Sequence, residues 1–461
     1  AGSPRSAIKS YICAFRKKVE LTERLTYRRT FLFWVPLALT WLMMAFEQPF
    51  LIAFIARLGD PKLNLAAFGI AGAFAMIIEA PVIMLMSAST ALVTGRNSYM
   101  KLRRFTDILN VAVTGIQLIV LIPPIFRFIV IGLMGVPEDI ARVAHITLII
   151  FLPWAASIGY RRFYQGILIR NNLTRRVTYG TMVRLSVIVT VGLLLYSAGV
   201  QGAYVGAAAM SLAVLTEAVA TRIMVSGTLK TLITKRDTEN GNLGLRSITK
   251  FYYPLALTSI LSLGVHPFVT FFLARSYMAV ESLAVLPVVG SLVFIFRSLG
   301  LSYQEVNIAL IGRQKQNFRV LRNFAVYLGI VVTVVISVLA FTPLAELWFI
   351  NVSGLTRELA DLSFLPLKIM ILLPALTVLL NFQRSLLLIN GTTGPISTAT
   401  ALELIGIIAV LLVGIVFLNL IGVVAASLAF VIGKGISTLY LVPRQAAVLR
   451  GWKVSTSFRT E

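Results

Sequence analysis

The chain has 461 residues, of which 58% are hydrophobic and 13% are charged. A soluble domain carries about a quarter charged residues, and one soluble core cannot hide this much apolar surface. A soluble two-domain enzyme is therefore excluded. Because each membrane-spanning helix needs about 20 apolar residues, the length predicts about a dozen spans.

Basic residues give the chain a formal net charge of +24, and they are unevenly distributed. One group, Arg16–Arg29, precedes the first apolar run. Five later segments are also basic: Arg96–Arg104, Arg170–Arg176, Lys230–Arg236, Arg313–Arg322 and Arg444–Lys453. The positive-inside rule places these segments and both termini in the cytoplasm, which requires an even number of spans. The basic excess is thus interpreted as the topology of a multi-pass protein of the plasma (inner) membrane. Anionic membrane lipids are expected partners, and a nucleic acid is not.

Apolar runs and the polar segments between them divide the chain into five predicted regions. These are an N-terminal segment (1–29) with an interfacial helix over 5–29, a first six-helix bundle (30–226), a cytoplasmic linker (227–249), a second six-helix bundle (250–443) and a cytoplasmic tail (444–461). The twelve predicted spans lie near 30–57, 64–94, 106–134, 140–168, 178–198, 202–226, 250–275, 282–312, 320–349, 359–389, 395–418 and 421–443.

A repeated sequence pattern relates the two bundles. Residues 36–40, Pro-Leu-Ala-Leu-Thr, recur as residues 254–258, and Pro49-Phe50 recurs as Pro267-Phe268 in the same register. Shared hydrophobicity alone rarely produces such identities at a constant spacing. With an even number of spans in each copy, both copies have the same orientation in the membrane. The fold class predicted is an all-α polytopic membrane protein of about 12 transmembrane helices, built as two parallel six-helix repeats.

Polar and charged side chains inside the spans mark the candidate site. An ionised group at the bilayer centre costs about 2.5 to 3.5 kcal/mol, so such groups are expected to face a partner or water. The candidates for substrate binding are Arg297, Arg384, Arg161, His266 and Gln48. The candidates for coupling or gating are Glu47, Glu79, Glu305, Arg184 and Glu403.

The repeat suggests which charges oppose one another. The offset that aligns the repeated prolines also aligns Glu79 with Arg297. Duplicated bundles often bind their ligand near the midplane between the halves, so this pair is interpreted as a gate that forms and breaks, or as a static contact. Arg184 and Glu403 are a second candidate pair at a similar offset.

Glu47-Gln48 before Pro49 and Val265-His266 before Pro267 occupy matching places in the repeat. A carboxyl in low dielectric is expected to be protonated or bonded to a cation or arginine, so Glu47 is a candidate proton carrier or a neutral acid bonded to the backbone. His266 is a candidate proton carrier or oxyanion donor, or a packing residue. The planar fork of Arg161 and Arg384 suits carboxylate or phosphate groups, although Arg161 also lies close enough to the cytoplasmic end of its span to snorkel.

Enzyme signatures are missing from the sequence. It contains no His-Glu-x-x-His motif, no Gly-x-Ser-x-Gly motif and no Walker phosphate loop. Cys13 is the single cysteine, so no thiolate metal cluster is expected. We therefore predict that the chain is not an enzyme and that it needs no cofactor.

Scattered positions along the chain resemble a known transporter family. The first span carries Val35-Pro36-Leu37 and Glu47-Gln48, the fourth carries Gly166-Ile167-Leu168, and the seventh carries Tyr252-Tyr253 before Pro254-Leu255-Ala256-Leu257. These residues are similar to those of the progressive ankylosis protein family. The resemblance implies the six-plus-six fold of the MATE and oligosaccharide-flippase (MOP) superfamily. It also implies export of small polyanions such as pyrophosphate, citrate or nucleotides.

The leading hypothesis from the sequence is an alternating-access transporter that binds a small anion and works as a monomer. A flippase for a lipid-linked phosphate is the first alternative. A cation-coupled multidrug exporter, with Glu47 and Glu79 binding the cation, is the second. A scaffold or receptor that transports nothing is the third, although such a protein has little reason to retain many charges inside its spans.

Overall fold

The computed structural model describes residues 25–171, 173–234, 244–311, 317–390, 392 and 394–457. Within these residues, twelve helices are long and apolar enough to cross a membrane, which confirms the predicted number. They are α1 (Tyr27–Arg57), α2 (Pro61–Leu92), α3 (Arg96–Leu121), α4 (Glu138–Arg170), α5 (Arg175–Ser197), α6 (Gly202–Thr234), α7 (Leu245–Leu273), α8 (Ala279–Leu310), α9 (Phe318–Phe341), α10 (Arg357–Ile389), α11 (Gly394–Phe417) and α12 (Gly422–Arg450). Residues 1–24 of the predicted N-terminal segment, 235–243 of the predicted linker and 458–461 of the predicted tail lie outside the described residues.

Five of these spans are interrupted, and a proline accompanies the interruptions. A proline donates no backbone hydrogen bond and its ring clashes with the carbonyl four residues earlier. The first segments of α1 and α7 accordingly end at Ala45 and Leu263, one helical turn before Pro49 and Pro267. The interrupted spans are α1 (Tyr27–Ala45, Glu47–Arg57), α2 (Pro61–Glu79, Ala80–Val82, Leu85–Leu92), α4 (Glu138–Ile150, Trp154–Arg170), α7 (Leu245–Leu263, Val265–Leu273) and α10 (Arg357–Ile369, Met370–Leu372, Leu373–Ile389).

Shorter helical segments follow three spans. Pro123–Arg127 and a π-helical turn, Phe128–Leu133, come after α3. Leu344–Glu346 and a second π-helical turn, Leu347–Val352, come after α9 at the corresponding place. A third π-helical turn, Leu412–Phe417, ends α11.

Backbone conformation confirms that the two halves are copies of one unit. Six described residues have a positive φ, and they form three pairs: Asp60 (51°) with Met278 (55°), Gly135 (75°) with Gly354 (76°), and Gly199 (67°) with Asn419 (49°). The separation in sequence is nearly the same for all three pairs, and it matches the offset of the repeated prolines. A positive φ is uncommon for a residue other than glycine, and most of all for one as bulky as methionine, so its recurrence at corresponding sites reflects a shared loop geometry.

Close contacts divide the described chain into two compact units. The N unit comprises Phe50–Pro287 with Ser353–Leu359, and the C unit comprises the residues up to Pro49, Val288–Val352 and the chain from Ala360 onward. In the N unit, apolar residues of α2, α3, α4, α6 and α7 form two buried clusters. In the C unit, the first segment of α1 packs with α8, α9 and α10, and a second cluster joins α10, α11 and α12.

The segment Ser353–Leu359 is held in the N unit by contacts with the residues that flank the loop after α1. Gly354 lies so close to Arg57 that an added Cβ would meet the arginine side chain at 3.0 Å, and its φ of 76° also favours glycine. Glu358 lies 3.9 Å from the Nζ atom of Lys62, which also pairs with Glu281 at the start of α8.

Candidate functional site

A cluster of buried charges lies in the N unit, where α4, α5 and α6 meet. Nη1 of Arg161 on α4 donates to Oε2 of Glu217 on α6 at 2.5 Å. Nε of Arg184 on α5 lies 3.5 Å from the same oxygen. The side chain of Glu217 is 1% exposed, and those of Arg161 and Arg184 are 6% and 7% exposed. Paired in this way, the three charges are enclosed within the protein.

Small and amide side chains allow these helices to enclose Glu217. Nε2 of Gln165, one turn after Arg161, donates to Oε1 of Glu217 at 3.2 Å. An added Cβ on Gly180, one turn before Arg184, would lie 3.5 Å from the Glu217 carboxylate, so α5 passes directly over it. The carboxylate therefore accepts hydrogen bonds at both oxygens, as a buried acid requires.

Glu79 is held at the point where α2 is interrupted. It is the last residue of the segment Pro61–Glu79, and its Oε2 accepts a hydrogen bond from the indole of Trp154. The next turn contains Pro81, whose carbonyl accepts from the hydroxyl of Tyr252 at 2.5 Å. Two hydrogen bonds to large aromatic residues thus stabilise the interrupted part of α2.

Arginines outnumber acids in this N-unit cluster. Arg161, Arg162 and Arg184 all interact electrostatically with Glu79 and Glu217. Nη1 of Arg162 lies 3.8 Å from the sulfur of Met86, and its Nε is buried with no acceptor among the described residues.

A second charged cluster lies in the C unit, on α8, α10, α11 and α12. Nε of Arg297 on α8 donates to the hydroxyl of Thr377 on α10 at 3.3 Å. Nη2 of Arg384, two turns further along α10, donates to the hydroxyl of Thr400 on α11 at 3.1 Å. Both guanidinium groups are therefore oriented by neutral hydroxyls.

An ion pair between Lys434 on α12 and Glu403 on α11 completes the C-unit cluster. Both helices carry a glycine close to the pair. An added Cβ on Gly433 would lie 3.0 Å from the backbone oxygen of Glu403, and one on Gly406 would lie 2.7 Å from Ile436. The two helix backbones approach closely because glycine has no side chain to separate them.

The α10 helix is tied to α12 next to the ion pair. Nε2 of Gln383 donates to the carbonyl of Thr438 at 3.2 Å, and the hydroxyl of Thr438 donates to the carbonyl of Lys434 at 2.8 Å. Arg384, which follows Gln383, interacts electrostatically with Glu403, as does Arg297. Three cations therefore share one carboxylate among the described residues of this cluster, which leaves two positive charges in excess.

Each unit has an ion pair on the corresponding two helices of the repeat, but the polarity of the pair is reversed. In the N unit α5 supplies the cation, Arg184, and α6 the acid, Glu217. In the C unit α11 supplies the acid, Glu403, and α12 the cation, Lys434. Arg184 and Glu403 occupy matching positions, because their separation in sequence equals that of Gly135 and Gly354. The C-unit pair is also more accessible, with both side chains 12% exposed.

The other predicted site residues are spread over both units. In the C unit, Glu47 and Gln48 begin the second segment of α1, where Glu47 is buried. Glu305 on α8, also in the C unit, accepts a hydrogen bond from Trp41. His266 lies in the second segment of α7, in the N unit, and its carbonyl accepts from the hydroxyl of Thr270 at 3.0 Å.

The structure brings Arg297, Arg384 and Glu403 into one cluster, and Arg161, Arg184 and Glu79 into another. The pairs Glu79 with Arg297 and Arg184 with Glu403 remain predictions. Sequence reasoning missed Lys434 and Trp154. The signal for Lys434 was available, because it is a single charge between Gly433 and Gly435 in an otherwise apolar run.

Comparisons with known proteins agree with this architecture. The sequence model of the MatE family matches residues 36–194. No curated protein sequence matches the chain at a significant level. A multidrug resistance MATE family transporter of the MOP superfamily, solved in an inward-facing conformation, is similar with a TM-score of 0.69 and 14% identity, over 97% of this chain and 99% of that one.

Two further solved structures share the fold. The lipid II flippase MurJ, in an inward closed conformation, has a TM-score of 0.68 and 16% identity, over 88% of this chain and 87% of that one. A MOP superfamily transporter from Pyrococcus furiosus, described by a reverse polarity of its binding pocket, has a TM-score of 0.56 and 16% identity, over 97% of both chains. The chain thus shares its fold with these solved proteins. The proteins of this fold named here are transporters or a flippase.

Proposed function

We propose that this chain is an alternating-access transporter of the MOP superfamily. We further propose that its substrate is an anion bound in the C unit by Arg297, Arg384 and Lys434. The match of residues 36–194 to the MatE family, the shared fold and the parallel duplication support transport. The charge of the C-unit cluster supports an anionic substrate.

The observation that carries the anion proposal is the imbalance between cations and acids in the described C-unit cluster. Arg297 and Arg384 have threonine hydroxyls as hydrogen-bond partners, and the single acid Glu403 pairs with Lys434. Cations inside a membrane protein are costly unless they meet a counter-charge or water. An anionic substrate supplies that counter-charge, and the planar guanidinium groups suit carboxylate or phosphate oxygens.

The resemblance to the progressive ankylosis protein family gives a first panel of substrates, namely pyrophosphate, citrate and nucleotides. The reverse pocket polarity described for the Pyrococcus furiosus transporter supports the idea that one fold accommodates substrates of different charge. The roles of Glu47, Gln48, Glu79, Glu305 and His266 in coupling or binding remain part of this proposal.

A flippase for a lipid-linked phosphate is the second candidate function. The likeness to MurJ favours it, and a lipid phosphate presents the same anionic oxygens to the C-unit cluster. Export of cationic drugs is less well supported, because a cationic drug would meet three positive side chains and one carboxylate in the described part of the C-unit cluster.

The test is uptake into proteoliposomes that contain the purified protein. Radiolabelled pyrophosphate, citrate and ATP test free anions, and a fluorescent polyprenyl phosphate tests lipid flipping. Arg297→Gln and Arg384→Gln are expected to slow uptake of the transported anion at least about tenfold, because each removes a charged hydrogen-bond donor worth about 1.5 to 3 kcal/mol.

Arg127→Gln is the matched control, since this arginine is 62% exposed and pairs with Glu138 outside both clusters. It is expected to transport at the normal rate. The anion proposal is wrong if the two C-unit arginine variants transport every anion of the panel as well as the Arg127 variant. Flipping of the polyprenyl phosphate without uptake of free anions would replace the first candidate function by the second.

A further inference from the structure

The Lys434–Glu403 pair differs from an ordinary structural ion pair in its surroundings. Glu217 in the N unit is 1% exposed and has three side-chain donors or cations around it. Glu403 is 12% exposed, as is Lys434, and it is the carboxylate on which Arg297, Arg384 and Lys434 all act. A shared and accessible acid of this kind is able to exchange one partner for another.

Hydrogen-bonding capacity is also left over around this acid. Nε of Arg384 is buried with no acceptor among the described residues, and its Nη2 donates to the hydroxyl of Thr400. Arg297 donates through Nε to a neutral hydroxyl. Charge-assisted hydrogen bonds to an anion are roughly twice as strong as bonds to neutral acceptors, so the cluster is set up to exchange hydroxyl contacts for anionic ones.

We infer that Glu403 is a resident counter-ion, and that the transported anion displaces it from Lys434 when it binds. This inference rests on the proposed anion transport. In the empty protein Glu403 neutralises Lys434 and keeps the C-unit cluster from carrying three uncompensated charges. In the loaded protein the oxygens of the substrate take its place on Lys434 and also reach the two arginines.

Charge balance then specifies the class of substrate. Three cations and one carboxylate leave two positive charges in excess within the described cluster. An anion with two or more negative charges neutralises this excess and competes with a carboxylate for Lys434. A single negative charge leaves the cluster positive and competes with Glu403 on equal terms. The structure therefore favours polyanions, such as a diphosphate or a tricarboxylate, over monocarboxylates.

The same arrangement explains how a tightly bound polyanion is released. Glu403 competes with the substrate for Lys434. The apparent affinity for the substrate is therefore reduced in proportion to the fraction of molecules in which Glu403 occupies the site. When Glu403 returns to Lys434, it replaces one of the contacts of the substrate. A site made of three cations without such an acid would bind a polyanion more tightly and release it more slowly.

The variant that tests this inference is Glu403→Gln, which retains the shape of the side chain and removes its charge. Binding of radiolabelled pyrophosphate and citrate to the detergent-purified protein is measured alongside uptake into proteoliposomes. Affinity is expected to rise about tenfold, within the range of ordinary coupling between two ligands, while the uptake rate falls. Lys434→Gln is expected to weaken binding of the same anion.

Glu138→Gln is the control, because this carboxylate is 61% exposed and lies in the N unit. Glu403→Asp serves as a second variant if the glutamine variant does not fold, since shortening the acid loosens its pair with Lys434 and is expected to raise affinity by a smaller factor. Unchanged or weaker binding in a folded Glu403 variant, together with normal anion binding by the parent protein, overturns the inference and leaves anion transport standing. Absence of anion binding and uptake in the parent protein overturns both.

Discussion

At the scale of single residues, the two units use buried charge in different ways. The pairs Arg184–Glu217 and Glu403–Lys434 lie on corresponding pairs of neighbouring helices, yet their polarity is reversed and the second is more exposed. Enclosed pairs are costly to form and more costly to break, because a remaining partner stays buried without its counter-charge. We therefore propose a structural role for the N-unit pair and, as part of the proposed function, a binding role for the C-unit pair.

The structural role predicts a stability effect at Glu217. Replacing it by glutamine leaves Arg161 and Arg184 buried without this carboxylate, and the free energy of unfolding is expected to fall by about 3 to 5 kcal/mol. The melting temperature of the detergent-purified protein should therefore drop. Glu138→Gln removes an exposed pair worth at most about 1 kcal/mol and should melt close to the parent protein. Equal melting temperatures for the two variants would contradict the structural role.

At the scale of elements, interruptions recur at corresponding places in the two halves. The second segments of α1 and α7 begin at Glu47 and Val265, and the last segments of α4 and α10 begin at Trp154 and Leu373. Both pairs are separated by nearly the same length of chain as the repeated prolines. Proline alone does not produce an interruption, because Pro36 and Pro287 lie inside continuous helices. The interruptions were therefore retained or acquired at specific sites.

The break in α1 leads to a prediction about Pro49. Alanine at this position restores a backbone donor, which is able to bond to the carbonyl of Ala45 and join the two segments of α1. We expect Pro49→Ala to fold, with a melting temperature at or above that of the parent protein, and to lose most of its transport activity because Glu47 and Gln48 are reoriented. Pro36→Ala is the control within a continuous helix. Uptake and melting temperature are measured for both variants to test whether the interruption of α1 is needed for transport.

Two results contradict the assigned role of the α1 break. One is normal transport by Pro49→Ala. The other is an equal loss of transport by Pro36→Ala, which would mean that any change in this helix is harmful and that the interruption has no special function.

Sequence patterns were sufficient for the twelve spans, for their duplication and for most of the buried charges. Hydropathy and a constant repeat offset depend only on the amino-acid sequence, so they can be recognised without a structure. Partners are different, because they depend on which helix faces meet. Glu79 bonds to Trp154, which nothing near it in sequence indicates, and Lys434 reaches Glu403 because glycines on α11 and α12 allow close approach.

At the scale of the whole molecule, the distribution of basic residues predicts the orientation of the chain in the membrane. The clusters of lysine and arginine lie at the junctions of α2 with α3, α4 with α5, α6 with α7 and α8 with α9, on the helix ends or in the loops that join them. Cytoplasmic loops are enriched in these residues, and the bias sets the orientation of multi-pass proteins. The loops that alternate with them are therefore expected on the opposite side, and both termini in the cytoplasm.

Single cysteines on either side of α6 test this orientation. Ser197 ends α5 and Thr234 ends α6, and both side chains are exposed. In a Cys13→Ser background, a membrane-impermeant maleimide applied to intact cells should label Ser197→Cys and leave Thr234→Cys unlabelled until the membrane is permeabilised. The reverse pattern would place the basic loops outside the cell and would invert the transporter. Labelling of both residues in intact cells would mean that α6 does not cross the membrane, since its 33 residues rise about 50 Å as a helix and otherwise separate these two positions by more than the bilayer core.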